Sequence, residues 1–488
     1  MESMKILLVA AEMAPLAQVG GLGDVVGSLP GALAARGHDV RVLIPAYQRH
    51  LTRELETRAR LATGKGRIVE TRDPELPCPV WLLETPAFLR RRGRPYVNKA
   101  GTPWADNPVQ FGNLSRVAAD IACGKLAMGW QPDVVHANDW HTGLTPVWMR
   151  QQGAAAACIF TIHNAGYAGC FPPDTLGRLG LPQELYHPER LEFYGSVSML
   201  KAGVNFSDRV TTVSPSYAEE IQTPEFGNGM EGVFSARAGA MRGILNGIDY
   251  SAWNPATDPR LTHHFDQQHP EGKARQRREL IREFGLAFDH SDKAPVIAWV
   301  GRLTEQKGID VLLDALPELM RKDLRLVVLG AGAASIESEL HRQARLHSGR
   351  LAVHTAFNEA MAHQLYAGAD MLLMPSRFEP CGLTQMIAMH YGTIPLVTEV
   401  GGLRDTVVDV DSGLQDANGF RIDGPTTEAL LAAVERAMER YEQADAWKQL
   451  MANAMKARFE WNDAAAAYET VYREALSERM QGHYPRVA

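Results

Sequence analysis

The chain has 488 residues, 45% of them hydrophobic and 22% charged, with 50 Lys and Arg against 57 Asp and Glu. That composition excludes disordered, collagen-like and disulfide-stapled chains, and at about 150 residues per domain the length predicts about three domains or two large ones. The net charge of −7 gives no global electrostatic reason for nucleic acid or an anionic membrane to be the main partner, so an anionic ligand has to meet a local basic site.

The N-terminus, Met1 to Lys5 followed by ILLVAAEMAPLA, has the charge-then-apolar look of a signal peptide. Glu12 interrupts it and glycine-rich turn chemistry follows, so it reads as a buried first strand. Strand Lys5–Ala11, helix Leu22–Ala35 and strand Asp39–Pro45 make one parallel crossover unit, and similar units recur at Asp133–His136, Cys158–His163 and Arg209–Val213. The basic run Arg90 to Arg94 reads as a solvated loop, with an anionic or polyhydroxyl ligand as the alternative. Asn246 to Pro259 is rich in turn formers, which places a hinge near 246–260, and the polar stretch 262–274 after it offers few core residues.

The pattern then restarts, with a strand at Pro295–Gly301, a helix at Gly308–Met320 and a strand at Leu324–Leu329. Further units follow at Asp370–Met374, Thr393–Val397 and Thr427–Tyr441. The fold class is therefore α/β, with two doubly wound halves. Cys78, Cys123, Cys158, Cys170 and Cys381 are odd in number and form no C-x-x-C pair, which predicts neither a disulfide framework nor a zinc ribbon. No uninterrupted apolar run approaches the roughly 18 residues that span a bilayer. The expectation is a cytoplasmic protein without a membrane partner.

Three loops follow strands and open helices, at the sheet edge where open α/β folds bind ligands. Gln18-Val19-Gly20-Gly21-Leu22-Gly23-Asp24 lets backbone N–H groups approach a phosphate or sugar at a helix N-terminus, although a plain tight turn fits equally well. Its spacing is not G-x-G-x-x-G, and no acidic residue ends the second strand, which weakens a dinucleotide reading. Gly301 to Gly308 brings Arg302 and Lys307, two cations that suit a diphosphate. Pro375 to Thr384 brings Glu379 together with free N–H groups; a sugar hydroxyl or a cation would satisfy the carboxylate, or it is a helix cap. His136, Asp139 and His141 are of metal-ligand type, but 136 and 139 at a strand end point to opposite sides, and no metal is expected.

QVGGLGDV, HANDWH, FTIHNAGYAG, VSPSYAEEI, LNGIDYSAWNP, GRLTEQKG, PSRFEPCGLTQ, TEVGGLRDTV and FEWNDAAAAYETVY together resemble the bacterial glycogen synthases and plant starch synthases, from Lys5 to about Leu476. The resemblance implies the GT-B fold, two Rossmann-like domains facing across a cleft. It divides the chain into 1–250 (acceptor side), 251–460 (nucleotide-sugar side) and 461–488, a helix crossing back to the first domain. It also implies transfer of glucose from ADP-glucose to the non-reducing 4-hydroxyl of an α-1,4-glucan with retention, without cofactor or metal. The partners are then ADP-glucose and the glucan. In that scheme Arg302 and Lys307 neutralise the leaving diphosphate, and Glu379 holds donor hydroxyls. The amides of Gly382, Leu383 and Thr384 cradle the phosphate and glucose, Ser376 and Cys381 are further substrate-binding residues, and Phe357 stacks on the base. Asp139 and His163 line the acceptor and anomeric side, Gln18, Gly20, Gly21 and Asp24 contact the donor, and Asn164 and Asn246 are further substrate-binding residues.

Two departures stand out. The family's K-x-G-G-L loop begins here with Gln18, and the second acid of the wider retaining-transferase pattern is Ile387, an absence shared with the glycogen synthase branch. Gln18 motivates one alternative, a catalytically weak glucan-binding pseudoenzyme; the retained Asp139, His163, Arg302, Lys307 and Glu379 argue against it. A UDP-glucose donor is the other.

Overall fold

The computed structural model describes residues 3–48, 55–61, 66–71, 73–92, 94–287, 293–356 and 358–481. The strands in chain order are β1 (Lys5–Val9), β2 (Asp39–Pro45), β3 (Leu55–Arg60), β4 (Arg67–Thr71), β5 (Val80–Glu84), β6 (Val134–Asn138), β7 (Ala157–Ile162), β8 (Cys170–Phe171), β9 (Glu192–Phe193), β10 (Ser196–Ser198), β11 (Arg209–Thr212) and β12 (Met241–Gly243), then β13 (Val296–Val300), β14 (Arg325–Leu329), β15 (Leu351–His354), β16 (Met371–Met374), β17 (Ile394–Thr398) and β18 (Phe420–Ile422). Two compact units result: Met1–Gly247 with Trp461–Ala488, and Ile248–Glu460.

The first unit is built on the sheet β12-β11-β7-β6-β1-β2-β5-β4-β3. From β12 to β5 all pairings are parallel, and β5-β4-β3 closes antiparallel. Strands covered on both faces read as near-continuous apolar runs, and β1 from Ile6 onward, β6 and β7 are buried throughout. Ile6 and Leu8 face a core shared with Val25, Val26, Leu29 and Leu33 of helix Gly21–Ala35 and with Tyr468, Val471 and Tyr472 of helix Trp461–Met480. Leu7 and Val9 face the opposite core with Phe111, Leu114 and Val117 of helix Asn107–Ala122. A small antiparallel sheet, β8-β10-β9, stands apart.

The second unit is an all-parallel sheet in the order β15-β14-β13-β16-β17-β18. Counted within the unit this is 3-2-1-4-5-6, the doubly wound order whose ligands bind beyond the strand C-termini where the winding reverses, between β13 and β16. The turn-rich stretch after Gly247, where the sequence placed a hinge, is anchored to this unit. The carboxylate of Asp258 lies 2.6 Å from His363 Nδ1 and accepts from Tyr391 OH at 2.7 Å, while Trp253 stacks on His363 with centroids 3.9 Å apart. Its Asn, Asp and Pro residues wrap it onto the domain; they do not leave it loose. The polar stretch behind it also contributes to the interior: Phe265 is buried, and buried Lys273 donates to Ala367 O, Tyr391 O and Thr393 Oγ1.

Candidate active site

In the first unit the winding reverses between β1 and β6, and the loops beyond those strands carry the predicted residues. Gly20 caps helix Gly21–Ala35 in extended backbone without a side-chain hydrogen bond. A Cβ added at Gly20 or Gly21 would meet no described atom within 4 Å, so the fold does not demand glycine there. The loop is pinned from below by Glu12, 3% exposed, whose Oε2 accepts from Val19 N at 2.5 Å and Gly20 N at 3.1 Å. Its other oxygen accepts from Tyr96 OH. Burial pushes the Glu12 carboxyl up, against the pull of these three donors. Gln18 Nε2 donates to Asp24 Oδ1 at 2.8 Å, so the residue in the lysine's place braces the loop.

Asp139, the residue after β6, has φ 62° and ψ 174°, a backbone region almost reserved for glycine that costs about 1–3 kcal/mol and is held only where surroundings fix it. They do: Asp139 N donates to Thr161 O at 2.9 Å, Oδ1 accepts from Trp140 N at 2.7 Å, and Thr142 N donates back to Asp139 O at 3.0 Å. Burial raises its carboxyl to about 7, the Trp140 N–H opposing. His163, after β7, lies 3.0 Å from Asn138 Oδ1. Asn138 Nδ2 donates to Val9 O and His136 O, which fixes its amide with the oxygen toward His163. That oxygen only accepts, so His163 carries its proton on Nε2 and keeps Nδ1 as an acceptor. Burial lowers His163 to about 3, leaving it neutral.

Asn164 accepts from Gly166 N at 2.9 Å, an Asx turn shaping its own loop. Asn246 is buried, and its Oδ1 has no described partner, an acceptor awaiting a donor. His136 faces Tyr472 OH (2.8 Å) and Thr161 Oγ1 (2.6 Å) in the core, and His141 stacks on Tyr96, centroids 4.5 Å apart. Both imidazoles are spoken for by packing.

In the second unit two loops meet at the reversal point. Arg377 N donates to Gln306 O at 2.9 Å and Gln306 Nε2 to Phe378 O at 3.3 Å, joining the loop after β13 to the loop after β16. Gly308 has φ 70°, and a Cβ there would fall 2.1 Å from Pro375 O, so only glycine permits this approach. The junction sets Lys307 Nζ in a short ion pair with Glu379, whose Oε2 also accepts from Ser376 Oγ at 3.3 Å. Arg302 stands beside them, exposed, donating to Gln306 Oε1 at 3.1 Å. Cys381 and Gly382 are braced by Gln385 Nε2, which donates to both their carbonyls. Leu383 caps helix Thr384–His390, so the amides of Gly382, Leu383 and Thr384 sit where N–H groups have no intrahelical partner. Phe357 lies outside the described residues.

The structure thus groups Gln18, Gly20, Gly21 and Asp24 on one loop of the first unit, with Asp139, His163 and Asn164 after its strands β6 and β7 and Asn246 after β12. It groups Arg302, Lys307, Ser376, Glu379 and Cys381 to Thr384 at the reversal point of the second. Sequence reasoning missed Glu12, Tyr96, Asn138 and Gln385, which position the others. The available signal was Glu12 itself, a charge inside an apolar run, which reading used only to dismiss a signal peptide.

Comparisons with known proteins place this geometry. The family model for the starch synthase catalytic domain matches residues 5–236, and that for glycosyl transferases group 1 matches residues 286–453. The chain is 45% identical to glycogen synthase 1 of Methylococcus capsulatus over 97% of both chains. It is 44% identical to the glycogen synthase of Alkalilimnicola ehrlichii, over 96% of this chain and 98% of that one. It superposes on the catalytic domain of starch synthase IV from Arabidopsis thaliana, solved with ADP and acarbose bound, with a TM-score of 0.87, 32% identity, and coverage of 98% and 100%. Sucrose-phosphate synthase from Thermosynechococcus elongatus, at TM-score 0.62 and 18% identity over 97% and 99%, shares the fold. The doubly wound order of the second sheet, the ion-paired loops at its reversal point and near-full-length identity above 40% lead to one conclusion: the chain belongs to the glycogen and starch synthase family of GT-B glycosyltransferases.

Proposed function

We propose that the chain transfers glucose from ADP-glucose to the non-reducing 4-hydroxyl of an α-1,4-glucan with retention at the anomeric carbon. The observation that carries this is the Lys307–Glu379 pair beside Arg302 at the reversal point of the second sheet, where a diphosphate's charge meets an ammonium and a guanidinium. Leaving-group departure is the costly event, and fixed cations aimed at the charge that develops there lower its barrier. Glu379 holds the Lys307 ammonium in place through their ion pair and offers an acceptor to donor hydroxyls, and the amides of Gly382 to Thr384 meet phosphate and glucose oxygens. In the first unit, the N–H of Gly21 at the helix N-terminus takes a donor oxygen. Asp139, ionised above about 7, stabilises positive charge on the anomeric carbon, and neutral His163 donates from Nε2 only to Asn138, leaving Nδ1 to accept from a sugar hydroxyl. The glucan, cytoplasmic location and independence of added metal belong to the same proposal.

ADP release and glucan elongation with ADP-glucose and glycogen, in EDTA and with UDP-glucose in parallel, test it. A preference for UDP-glucose would refute the donor assignment.

A further inference from the structure

The basic run at Arg90 to Arg94 is only partly a solvated loop. Arg91 is 2% exposed, donating to Pro95 O, Asn107 Oδ1 and Asp106 Oδ1, and its guanidinium lies over the rings of Phe88, Trp104 and Phe111. Anchoring Arg91 in the core turns its neighbours outward, and Arg92 is held at φ 50°, a left-handed conformation that a long side chain adopts at a cost. The result is a cavity of about 890 Å³ lined by Arg60, Arg67, Arg90, Arg92, Glu84 and Trp104 among others. Arg67 is neutralised by Glu84 at 2.6 Å. Arg60, Arg90 and Arg92 are exposed, and their guanidiniums have no hydrogen-bond or ion-pair partner among the described residues. Trp104 is half-buried, with its indole N–H given to Arg94 O at 3.0 Å, so what it has left for a ligand is apolar ring.

Three unpaired guanidiniums around one cavity repel one another unless an anion sits among them, and planar guanidinium forks suit phosphate oxygens better than water does. We propose that this cavity binds a small phosphorylated sugar, its phosphates on Arg60, Arg90 and Arg92 and an apolar sugar face against Trp104. Arginines arriving from two separate elements, the end of β3 and the turn after Leu89, fit a ligand with more than one phosphate. None of these residues belongs to the donor or acceptor loops, so the site stands whether or not the proposed reaction does.

Isothermal titration of the full chain, with ADP present throughout, tests this with fructose 1,6-bisphosphate, inorganic phosphate and fructose. The bisphosphate binds at least about tenfold more tightly than inorganic phosphate, and fructose does not bind. Raising salt from about 50 to about 300 mM weakens binding, as exposed charge pairs require. The double variant Arg90→Ala/Arg92→Ala loses at least about tenfold in affinity, equivalent to about 1.4 kcal/mol, and Arg60→Ala loses less while both keep the parent melting temperature. No binding of the bisphosphate up to about 10 mM, roughly the limit at which two charged contacts would still register, overturns the proposal. So does equal affinity for inorganic phosphate, equal binding of fructose, or unchanged affinity in both variants.

Discussion

Replacing Asp139 by Asn keeps the side chain's shape and its acceptor for Trp140 N while removing the charge. In the folded protein burial raises this carboxyl from 3.8 to about 7, a shift of about 3 units and so about 4 kcal/mol of folding free energy. The sign is set by proton uptake. The folded state holds its proton more tightly than the unfolded chain, so ionised Asp139 destabilises the fold. The penalty is absent below pH about 4, grows as pH rises, and is complete above about 7. Asp139→Asn is therefore more stable than the parent by about 2–4 kcal/mol at pH 8, the difference vanishing by pH 4. Catalysis moves the other way. A carboxylate about 4 Å from a developing positive charge contributes about 4 kcal/mol at an effective dielectric near 20, so kcat falls about 10³-fold. Urea unfolding of both proteins at pH 4 to 8, with kcat measured at pH 8, checks both halves. Equal stability at pH 8, or a stability difference independent of pH, would refute the reasoning. A fold that retains a strained, charged and destabilising residue is expected only where function uses it.

Asp139 also sets an alkaline-rising limb in kcat/KM near pH 7, whereas His163, lowered to about 3, sets none above pH 5: His163→Asn lowers the whole profile without moving its midpoint, and a shifted midpoint would show that the histidine titrates. Lys307→Met strands buried Glu379, lowering stability by about 1–3 kcal/mol and kcat by about 10²–10³-fold; thermal melts and single-turnover kinetics read the two effects separately. Gln18→Lys exchanges a neutral donor to Asp24 for a charged one, raising kcat/KM for the nucleotide sugar about tenfold while changing stability by less than about 1 kcal/mol; unchanged kinetics would show that the glutamine is no handicap. Removing the chain from Trp461 onward strips Tyr468, Val471 and Tyr472 from the core and leaves His136 without its tyrosine partner, so the truncated protein loses cooperative unfolding.

The parallel strands were legible because burial on both faces leaves unbroken apolar runs: Val296–Val300 and Met371–Met374 stand out without any context. β3 and β4 were not, since LETRAR and RIVET lie at or next to the sheet edge and carry charge at positions that solvent tolerates. The loops Gly301–Gly308 and Pro375–Thr384 announced their chemistry through residue type, yet their contact through Gly308 and Pro375 depends on strand order, which periodicity does not encode. Arg91 shows the converse failure. Read as one of several surface arginines, it is buried because its hydrogen-bonding partners at Pro95, Asp106 and Asn107 come from a later turn and the next helix. Asp139 was named by family resemblance, but its strain and raised pKa follow from the turn after β6, which residue type alone does not reveal.

The most direct measurement is the turnover of ADP-glucose on glycogen in EDTA, followed as ADP release and as chain elongation, with UDP-glucose alongside. Both products are expected together with ADP-glucose, at a rate unaffected by chelator and lowered about 10²–10³-fold in Lys307→Met. Intact glucan binding without turnover of either donor would contradict this and leave a binding protein that keeps the loops of a transferase.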